Sequence, residues 1–356
     1  MNEENVKNVI ELLKLAKLGE RVKEEEQKEK PEIEAVKFTL PDTLTTIQPL
    51  ITVDGSYCFL FSFLGAETWI VLFRIAITEY YIEIKNNKIH YCINTAPLIY
   101  DRLDLLSFNK TVLSFQPPVF SIVADIASRF QDRKAQIFAS NIMTYLEDKT
   151  LEKISATRNN CILIKDGALL TFKELNRGEI YKEILVNCRM NNILLAGVSK
   201  STSTHLLGNV YTDDFFLKKY YNKTFPDLTY VYIPEELLEQ QTKFDVWGDI
   251  HFAKFHKDAV KWFRVDIDRN ILDKDSFFSS IAAYSMVHLL PGYPIGLMET
   301  HKLAKSVRDL KNYYEVGLLR ELRGLGLRSE DILEGAVDMN GREFNSFHEI
   351  LDQISR

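Results

Sequence analysis

Two apolar segments that lie far apart in the chain each end in an aspartate followed at once by a glycine. Asp54 closes the segment ITVD at 51–54, and Asp166 closes the segment CILIKD at 161–166. Short runs of this kind predict buried β-strands. An Asp-Gly pair is also a common turn dipeptide, so one copy alone indicates little. Two copies after strand-like runs predict one site built across a sheet, because a carboxylate at a strand end is a good ligand for a hard cation.

The composition is that of a packed globular protein. Of the 356 residues, 46% are hydrophobic, which is enough for one large domain or two. No apolar stretch reaches the roughly 18 residues of a membrane span, and the N-terminus lacks the apolar core of a signal peptide, so we expect a cytoplasmic protein without membrane contact. The formal net charge of −6 excludes a surface that is basic throughout, but not a local basic groove. Four scattered cysteines predict buried thiols: Cys58, Cys92, Cys161 and Cys188.

The order of the predicted elements favours a mixed α/β sheet. Strand-like runs come first and resemble an antiparallel meander, with a turn at Lys85–Lys88. In chain order, the predicted elements are strands at 50–64, 68–77 and 80–93, a helical pattern within 119–154, a strand at 161–164, a helix at 180–188, a strand at 193–198, an irregular insertion at 206–240, a hairpin within 244–267, and helices at 276–290 and 295–325. A meander followed by alternating strands and helices predicts a mixed sheet flanked by helices.

The first 35 residues predict a separate element. Apolar residues from Val6 to Ala16 recur at helical spacing, and a strongly charged run from Glu20 to Lys30 follows. This segment is either a solvated helical extension or an arm whose apolar face docks on a partner or a second subunit.

One acidic residue falls on the apolar face of the helix that precedes Asp166. Glu147 lies four residues after Met143 and four before Leu151, so all three share that face. A carboxylate on an apolar stripe is costly unless it is paired or binds a metal. The alternative is a solvated carboxylate at the edge of the stripe, or one paired with a lysine such as Lys149 or Lys153.

Three further polar features complete the set of candidates. His301 shares a helix face with Leu297, where a histidine is either a ligand or an ordinary core or surface residue. Lys200 ends a predicted strand and could touch a phosphate, or it could belong to an ordinary strand-to-helix turn; the spacing of a phosphate-binding P-loop is absent. Arg264 and Asp266 form a polar pair inside an apolar strand, and such a pair is more often a structural ion pair than a catalytic group.

The order of these acids and the histidine follows the arrangement of the RNase H-like fold, and the motifs resemble those of the NurA family of archaeal and bacterial DNA-end-processing nucleases. The matching stretches run through most of the chain in family order: VDGS at 53–56, MxxLE at 143–147, IKDGALL at 164–170, GVSK at 197–200, FRVD at 263–266 and YPIGLMETHKLAK at 293–305. Ala168 stands where the family usually has serine. Asp148 and Glu152 are alternatives to Glu147, and no motif matches after about residue 325.

The resemblance implies a manganese- or magnesium-dependent nuclease that acts on single- and double-stranded DNA. It implies 5′-to-3′ exonuclease and single-strand endonuclease activity, resection of ends in double-strand break repair, and a pair of metal ions. The implied metal-binding set is Asp54, Glu147, Asp166 and His301, with Lys200 near the phosphate. Carboxylates suit hard cations, and the histidine favours Mn²⁺ over Mg²⁺ because imidazole is a softer ligand.

The resemblance also implies partners and an organisation of the chain. We expect a homodimer that works in the nucleoid with a HerA-type hexameric ATPase. The predicted units are a charged helical arm at 1–35, the nuclease domain at 36–325 and a C-terminal helical extension at 326–356. Two alternatives stay open: a non-catalytic partner that docks on and regulates the ATPase, and a different RNase H-like enzyme, such as an RNA-cleaving or Argonaute-type nuclease.

Local basic patches could reconcile the acidic net charge with a nucleic-acid substrate. His251 and His256 lie near several lysines in the predicted hairpin, and could line a basic groove or a solvated strand face. Lys302, Lys305 and Arg308 follow His301 within two turns, and could line a channel or simply form a solvated helix face.

Overall fold

The computed structural model describes residues 33–44, 47–63, 68–86, 88–107, 135–172, 177–207, 210–234, 237, 244–259, 261–287 and 290–324. The strands are β1 (Ala35–Lys37), β2 (Leu50–Phe63), β3 (Thr68–Lys85), β4 (Lys88–Ser107), β5 (Ile162–Asp166), β6 (Leu170–Phe172), β7 (Leu194–Ser199), β8 (Thr229–Tyr232), β9 (Phe244–Val246), β10 (Asp249–Lys254) and β11 (Phe263–Ile267). The helices are α1 (Ala135–Thr157), α2 (Gly178–Met190), α3 (Asp213–Tyr221), α4 (Lys274–Ala283), α5 (Ile295–Lys305) and α6 (Lys311–Gly324), with a 3₁₀ helix at Ser306–Leu310 between the last two.

Within this part of the chain, nine strands form one mixed sheet. Their order is β1-β8-β10-β11-β7-β5-β2-β3-β4, and β6 and β9 pair separately. Strands β2, β3 and β4 form the predicted antiparallel meander, and β5 and β7 then add in parallel beside β2. Strands β11, β10, β8 and β1 continue the sheet with antiparallel pairing. The predicted mixed sheet flanked by helices is confirmed.

Each face of the sheet has its own apolar core, because successive side chains in a strand point to opposite faces. Leu50 and Ile164 pack with residues of α4 and α5 on one face. Ile51 and Leu163 pack with residues of α1 and α2 on the other. Since helices cover both faces, the central strands are mainly apolar on both sides, which explains the apolar runs that lead to Asp54 and Asp166.

The prediction of an irregular insertion at 206–240 is wrong. It contains α3 and strand β8, and β8 pairs with β1 on one side and β10 on the other. The aromatic side chains that obscured the periodicity build a core of their own, in which Phe216 packs with Trp262 and Phe252. The carboxylate of Asp213 accepts hydrogen bonds from the Leu207 amide and the Thr204 hydroxyl, which holds the loop before α3.

Strand β3 is longer than predicted. The chain runs as one strand from Thr68 to Lys85, with irregular pairing to β4 between Ile77 and Tyr80, where two separate strands were expected. The turn at 85–88 is confirmed, since β3 ends at Lys85 and β4 begins at Lys88. Cys58, Cys161 and Cys188 are buried free thiols as predicted, whereas Cys92, on the partly exposed strand β4, is only partly buried.

Several predictions concern residues outside the described ranges. The helical arm lies almost wholly in residues 1–32, the extension at 326–356 follows the last described residue, and the helical pattern before residue 135 is also outside. Their structure and the predicted unit boundaries remain predictions. None of the helices in the described part of the chain is long and apolar enough to cross a membrane.

Candidate metal centre

The two Asp-Gly segments lie side by side, at the same end of neighbouring parallel strands. Val53 of β2 is in register with Lys165 of β5, so the next residues, Asp54 and Asp166, follow together. Both aspartates lie on the sheet face that α5 covers, because they alternate with Val53 and Lys165. The sequence prediction of one site across a sheet is therefore correct in its placement of these two acids.

His301 joins the two aspartates from α5. Its Nδ1 lies 2.7 Å from Oδ2 of Asp54 and 3.7 Å from Oδ2 of Asp166. Each of the three residues offers one ligand atom, and these atoms all lie within 4.8 Å of one another. Two carboxylates and an imidazole at this spacing can hold a divalent cation.

A cluster of buried hydroxyls fixes α5 against the sheet directly beside His301. Thr300 of α5 lies 2.5 Å from the Thr52 hydroxyl and 2.7 Å from the Thr78 hydroxyl, and these two lie 2.7 Å apart. Gly296 allows this approach, because a Cβ there would lie 2.8 Å from the Thr52 side chain. The hydroxyl cluster joins α5, β2 and β3, and so sets the position of His301 relative to Asp54. The sequence analysis missed it.

Glu147 reaches the same strand end from the opposite face of the sheet. Its side chain is buried, and Oε1 would lie only 2.7 Å from a Cβ added at Gly55. The glycine of the first Asp-Gly pair is therefore needed for close approach of this carboxylate. Oε2 lies 3.4 Å from Nζ of Lys165. The structure brings Asp54, Asp166 and His301 together, whereas Glu147 lies beside them and is paired with a lysine.

The alternative acids on α1 have other partners. Asp148 is fully buried and accepts hydrogen bonds from Lys165 at 2.6 Å, Arg177 at 2.8 Å and Tyr181 at 3.0 Å. Glu152 pairs with Lys149 at the edge of the helix. The charge of Glu147 is one of those that raise the pKa of Asp54, after burial and Asp166.

The buried charge network around Asp148 is another feature that the sequence analysis did not identify. Its signal was present, since Lys165 is a lysine inside an otherwise apolar strand. A buried lysine needs a carboxylate partner.

The acids of the centre are crowded and short of positive charge. Burial, followed by the charges of Asp166 and Glu147, raises the pKa of Asp54 to about 8. Burial raises the pKa of Glu147 to about 7, although Lys165 acts in the opposite direction. Burial and then Lys200 lower the pKa of His301, which favours the neutral imidazole that binds metals. Because the ionised carboxylates are costly here without a counter-ion, the donor set fits a divalent cation.

Lys200 lies at the rim of the centre. It follows β7 and pairs with the carboxylate of Asp166, while a third of its side chain remains exposed. Its ammonium also lies 5.4 Å from the centre of the Tyr293 ring. A cation at this position can contact both a metal ligand and an incoming anion.

Arg264 and Asp266 form the structural ion pair that was predicted. Both side chains are buried, and the guanidinium binds the carboxylate in a bidentate manner at 2.7 and 3.1 Å. Oδ2 of Asp266 also accepts a hydrogen bond of 2.9 Å from the amide of Leu169. This contact holds the loop that follows Asp166, in which Gly167 has a φ of +118°. Glycine adopts that conformation without strain.

The basic residues predicted near the centre divide into two groups. His251 is fully buried beside Tyr230 and Phe278, so neither a basic groove nor a solvated strand face describes it. A strand that is covered on both faces has no solvated side, which is why the prediction was wrong. Lys302 and Lys305 are exposed on α5, and their role as a channel lining stays a prediction.

Sequence comparison does not place the chain in a family. No protein-family model matches the sequence, and a search of curated protein sequences finds no significant match.

Comparison with solved structures finds nuclease structures. The NurA nuclease from Sulfolobus solfataricus matches with a TM-score of 0.51 at 11% identity, over 90% of this chain and 98% of that chain. The catalytic domain of human endonuclease V matches at a TM-score of 0.32 and 9% identity, over 90% and 99% of the two chains. Argonaute from Marinitoga piezophila, solved with guide RNA and target DNA, matches at 0.26 and 14%, over 72% and 29%. Scores below 0.5 do not establish a shared fold. The likeness to NurA does, so the resemblance predicted from the motifs is confirmed for the fold.

Proposed function

We propose that this protein is a divalent-metal-dependent nuclease that hydrolyses phosphodiester bonds in DNA. The observation that carries the proposal is the cluster of Asp54, Asp166 and His301 at adjoining strand ends, in a fold shared with a NurA nuclease. In this proposal Asp54, Asp166 and His301 hold the metal, and Glu147 completes the set through the space left by Gly55.

The residues around the centre suit phosphodiester hydrolysis. A divalent cation in such a site supplies an activated water and stabilises charge on the phosphate. Asp54 and Asp166 lie on rigid neighbouring strands, so the chain holds its ligands in place before substrate binds. The Thr300 cluster fixes the direction of His301. Lys200 reaches the edge of the cluster and would contact a phosphate oxygen.

The finer features of the proposal rest on the motif resemblance. They are a preference for Mn²⁺ over Mg²⁺, two ions, 5′-to-3′ resection with single-strand endonuclease activity in double-strand break repair, a homodimer, and a HerA-type ATPase partner in the nucleoid. The arm at 1–35 would serve the ATPase contact. Deletion of residues 1–35 should then weaken ATPase capture in a pull-down more than it slows intrinsic cleavage, and equal capture by both proteins would contradict this role.

Cleavage of linear DNA tests the central proposal. The purified protein is incubated with DNA labelled at the 5′ or the 3′ end, in Mn²⁺, Mg²⁺ or EDTA. We expect metal-dependent degradation that Asp54→Asn abolishes and that Asp227→Asn retains, because Asp227 lies in an exposed ion pair with Lys37. The order in which the two labels are released reports polarity. A wild-type protein that cleaves nothing, even with the ATPase added, would instead support the non-catalytic partner.

A further inference from the structure

Cavities lie on both faces of the sheet. A cleft of about 490 Å³ is lined by Lys200 and His301, so it belongs to the candidate metal centre. A separate groove of about 510 Å³ lies on the opposite face, between α1 and strand β4. It is lined from Thr95 to Arg102 on β4 and from Leu146 to Thr157 on α1. The residues assigned to the metal centre do not line this groove.

The floor of the groove is apolar and its outer wall is exposed. The floor consists of buried side chains from the sheet and from α1: Ile51, Phe73, Ile75, Ile77 and Ile154. Leu98 and Tyr100 of β4 form the outer wall and are 44% and 46% exposed. Within the described part of the chain, β4 is the last strand of the sheet. Apolar side chains on an exposed edge strand are a liability in water, and native proteins usually cover them.

The rim of the groove is cationic. Its charged residues are four cations and one carboxylate: Arg102, Lys149, Lys153, Arg158 and Glu79. The side chains of Lys149 and Arg158 are each 42% exposed, although both are in ion pairs. The ammonium of Lys153 lies 5.6 Å from the centre of the Tyr100 ring. Exposed ion pairs contribute little in water, so these cations can also pair with a bound acidic group. The groove therefore complements an acidic segment with one apolar side.

The sequence that follows the last described residue has these properties. Residues 325–356 contain seven carboxylates and three arginines. Near the end of this segment, apolar residues recur at i, i+3, i+4 and i+7, the spacing of one helix face: Phe347, Ile350, Leu351 and Ile354. Ser346, with Glu349 three residues later, has the pattern of a capping box at the start of a helix. The sequence thus predicts a short, acidic amphipathic helix at 347–354.

We propose that the helix predicted at 347–354 docks in the groove between α1 and β4 of the same chain. A helix of eight residues is about 12 Å long, and the α1 wall from Leu146 to Thr157 spans about 17 Å, so the helix fits along the groove. Its four apolar side chains would lie against the floor, while Glu349 and Asp352 remain near the cations of the rim. Amphipathic helices bind apolar grooves in this way. The inference does not depend on the proposed nuclease function.

The position of α6 brings the segment close to the groove. Leu103 of β4 packs on the same apolar cluster as Leu319, near the end of α6. The neighbouring residue of β4, Arg102, lines the groove on the other face of the sheet. The chain therefore has to pass only around the edge strand. The 21 residues at 325–345 suffice, since a flexible chain of this length has a root-mean-square span of roughly 25 Å.

Charge favours this segment over one that is nearer in the sequence. Residues 108–134 connect β4 to α1 and are also rich in apolar side chains. They carry four cations and two carboxylates, so the cationic rim repels them on balance. The excess of carboxylates at 325–356 has the opposite sign and complements the rim.

Engineered disulfides in the full-length chain test the docking. All variants carry Cys92→Ser, because the other native cysteines are buried. Leu98→Cys is combined with Ile354→Cys, and the matched control combines Ile99→Cys with Ile354→Cys. Leu98 and Ile99 are similarly exposed, at 44% and 41%, but they point to opposite faces of β4. We expect the Leu98 pair to form its intramolecular disulfide roughly tenfold faster or more, because the bond requires Cα atoms within about 7 Å. Non-reducing electrophoresis and peptide mass spectrometry follow the product under mild oxidation.

Two substitutions of equal charge in the segment separate docking from chance collision. Ile350→Glu introduces a carboxylate on the predicted apolar face, and it should lower the rate of the Leu98 pair to that of the Ile99 control. Gln353→Glu adds the same charge outside that face, and the Leu98 pair should then react at least as fast as before. Equal slowing by both substitutions would contradict binding through the apolar face.

Other occupants of the groove give different products, and each would overturn the inference. Equal rates for the Leu98 and Ile99 pairs would show that the segment does not select the groove. Disulfide-linked dimers in place of the intramolecular product would assign the groove to the segment of a second copy. A disulfide from Leu98→Cys to Ile126→Cys or Ile10→Cys, in the segments that precede α1 and β1, but not to Ile354→Cys, would assign the groove to one of those segments. None of these results depends on DNA cleavage, so the nuclease proposal is tested separately.

Discussion

Both faces of the sheet carry charged side chains at the same strand ends, but the carboxylates have different partners on the two faces. On the α5 face, Asp54 and Asp166 meet a histidine and one partly exposed lysine. On the α1 face, Asp148 is fully buried and accepts hydrogen bonds from Lys165, Arg177 and the Tyr181 hydroxyl. Adjacent residues of a single strand, Lys165 and Asp166, thus belong to a fully buried charge network and to an acid cluster that lies beside an open cleft.

This difference separates an acid with a structural role from an acid that needs a ligand. The chain itself supplies two cations to Asp148, so its charge is compensated inside the fold. Burial, followed by the charges of its neighbours Asp166 and Glu147, instead raises the pKa of Asp54 to about 8. Perturbed acids occur in structural networks as well as in active sites. Acids that lack an internal counter-charge and lie beside an open cleft are the better candidates for a functional site.

The largest expected effect is the loss of activity in Asp54→Asn. Removing this ligand should slow DNA cleavage by more than the roughly 10–100-fold typical of the loss of an outer-shell partner. The melting temperature in EDTA should stay the same or rise, because the ionised carboxylate is costly in the metal-free fold. Cleavage assays and thermal melts check the two parts. A variant that melts earlier and still cleaves would place Asp54 among the structural acids.

The next largest effect is expected from Lys165→Met on the opposite face. Asp148 then keeps only Arg177 as a cation and Glu147 loses its lysine, so the free energy of unfolding should fall by about 3–5 kcal/mol. Urea unfolding measures this change. Lys149→Met is the matched control, since its ion pair with Glu152 lies at the helix edge and should contribute at most about 1 kcal/mol. Equal losses in both variants would contradict the contrast between the two faces.

His251 lies outside both the candidate metal centre and the charge network around Asp148, and provides a reference for the pH dependence of stability. Burial, followed by Lys274, lowers its pKa from 6.5 to about 4, so the folded protein holds the neutral ring. The unfolded chain binds more protons between these values, and stability should therefore fall as the pH drops from 6.5 towards 4, by up to about 3 kcal/mol. Urea unfolding at pH 7 and pH 4.5 measures the slope. His251→Phe should reduce it, and an unchanged slope would show that other groups cause the acid sensitivity.

The smallest effect is expected at the hydroxyl cluster that fixes α5. Thr300→Val leaves Thr52 and Thr78 without their shared partner, which should cost about 1–3 kcal/mol of stability. A small shift of α5 should also weaken Mn²⁺ binding through His301, which calorimetry can detect. Thr157→Val is the control, because that hydroxyl is exposed and its replacement should change stability by no more than about 0.5 kcal/mol. A normal Mn²⁺ affinity in Thr300→Val would show that α5 is fixed by other contacts.

The sequence analysis placed several members of the candidate site correctly in space, because they lie at the ends of regular elements. Asp54 and Asp166 each end an apolar run, and those runs are neighbouring parallel strands. The helical spacing that grouped His301 with Leu297 also holds, although only the fold brings His301 to Asp54. Glu147 was correctly placed on an apolar face, and only the structure shows that Lys165 lies against it.

What the sequence alone determined is local: the period of each segment, the face on which each polar residue lies, and hence the meander, the alternating strands and helices, and the acids at strand ends. Tertiary structure decided which charges meet. Lys165 and Asp166 are adjacent in sequence, yet they point to opposite faces of the sheet and have different partners. The approach of Glu147 to Gly55, the hydroxyl cluster under α5 and the cleft beside His301 depend on residues that are distant in the chain. The periodicity of a segment fixes the direction in which its side chains point within one element. Charge compensation and cavity shape depend instead on how separate elements pack.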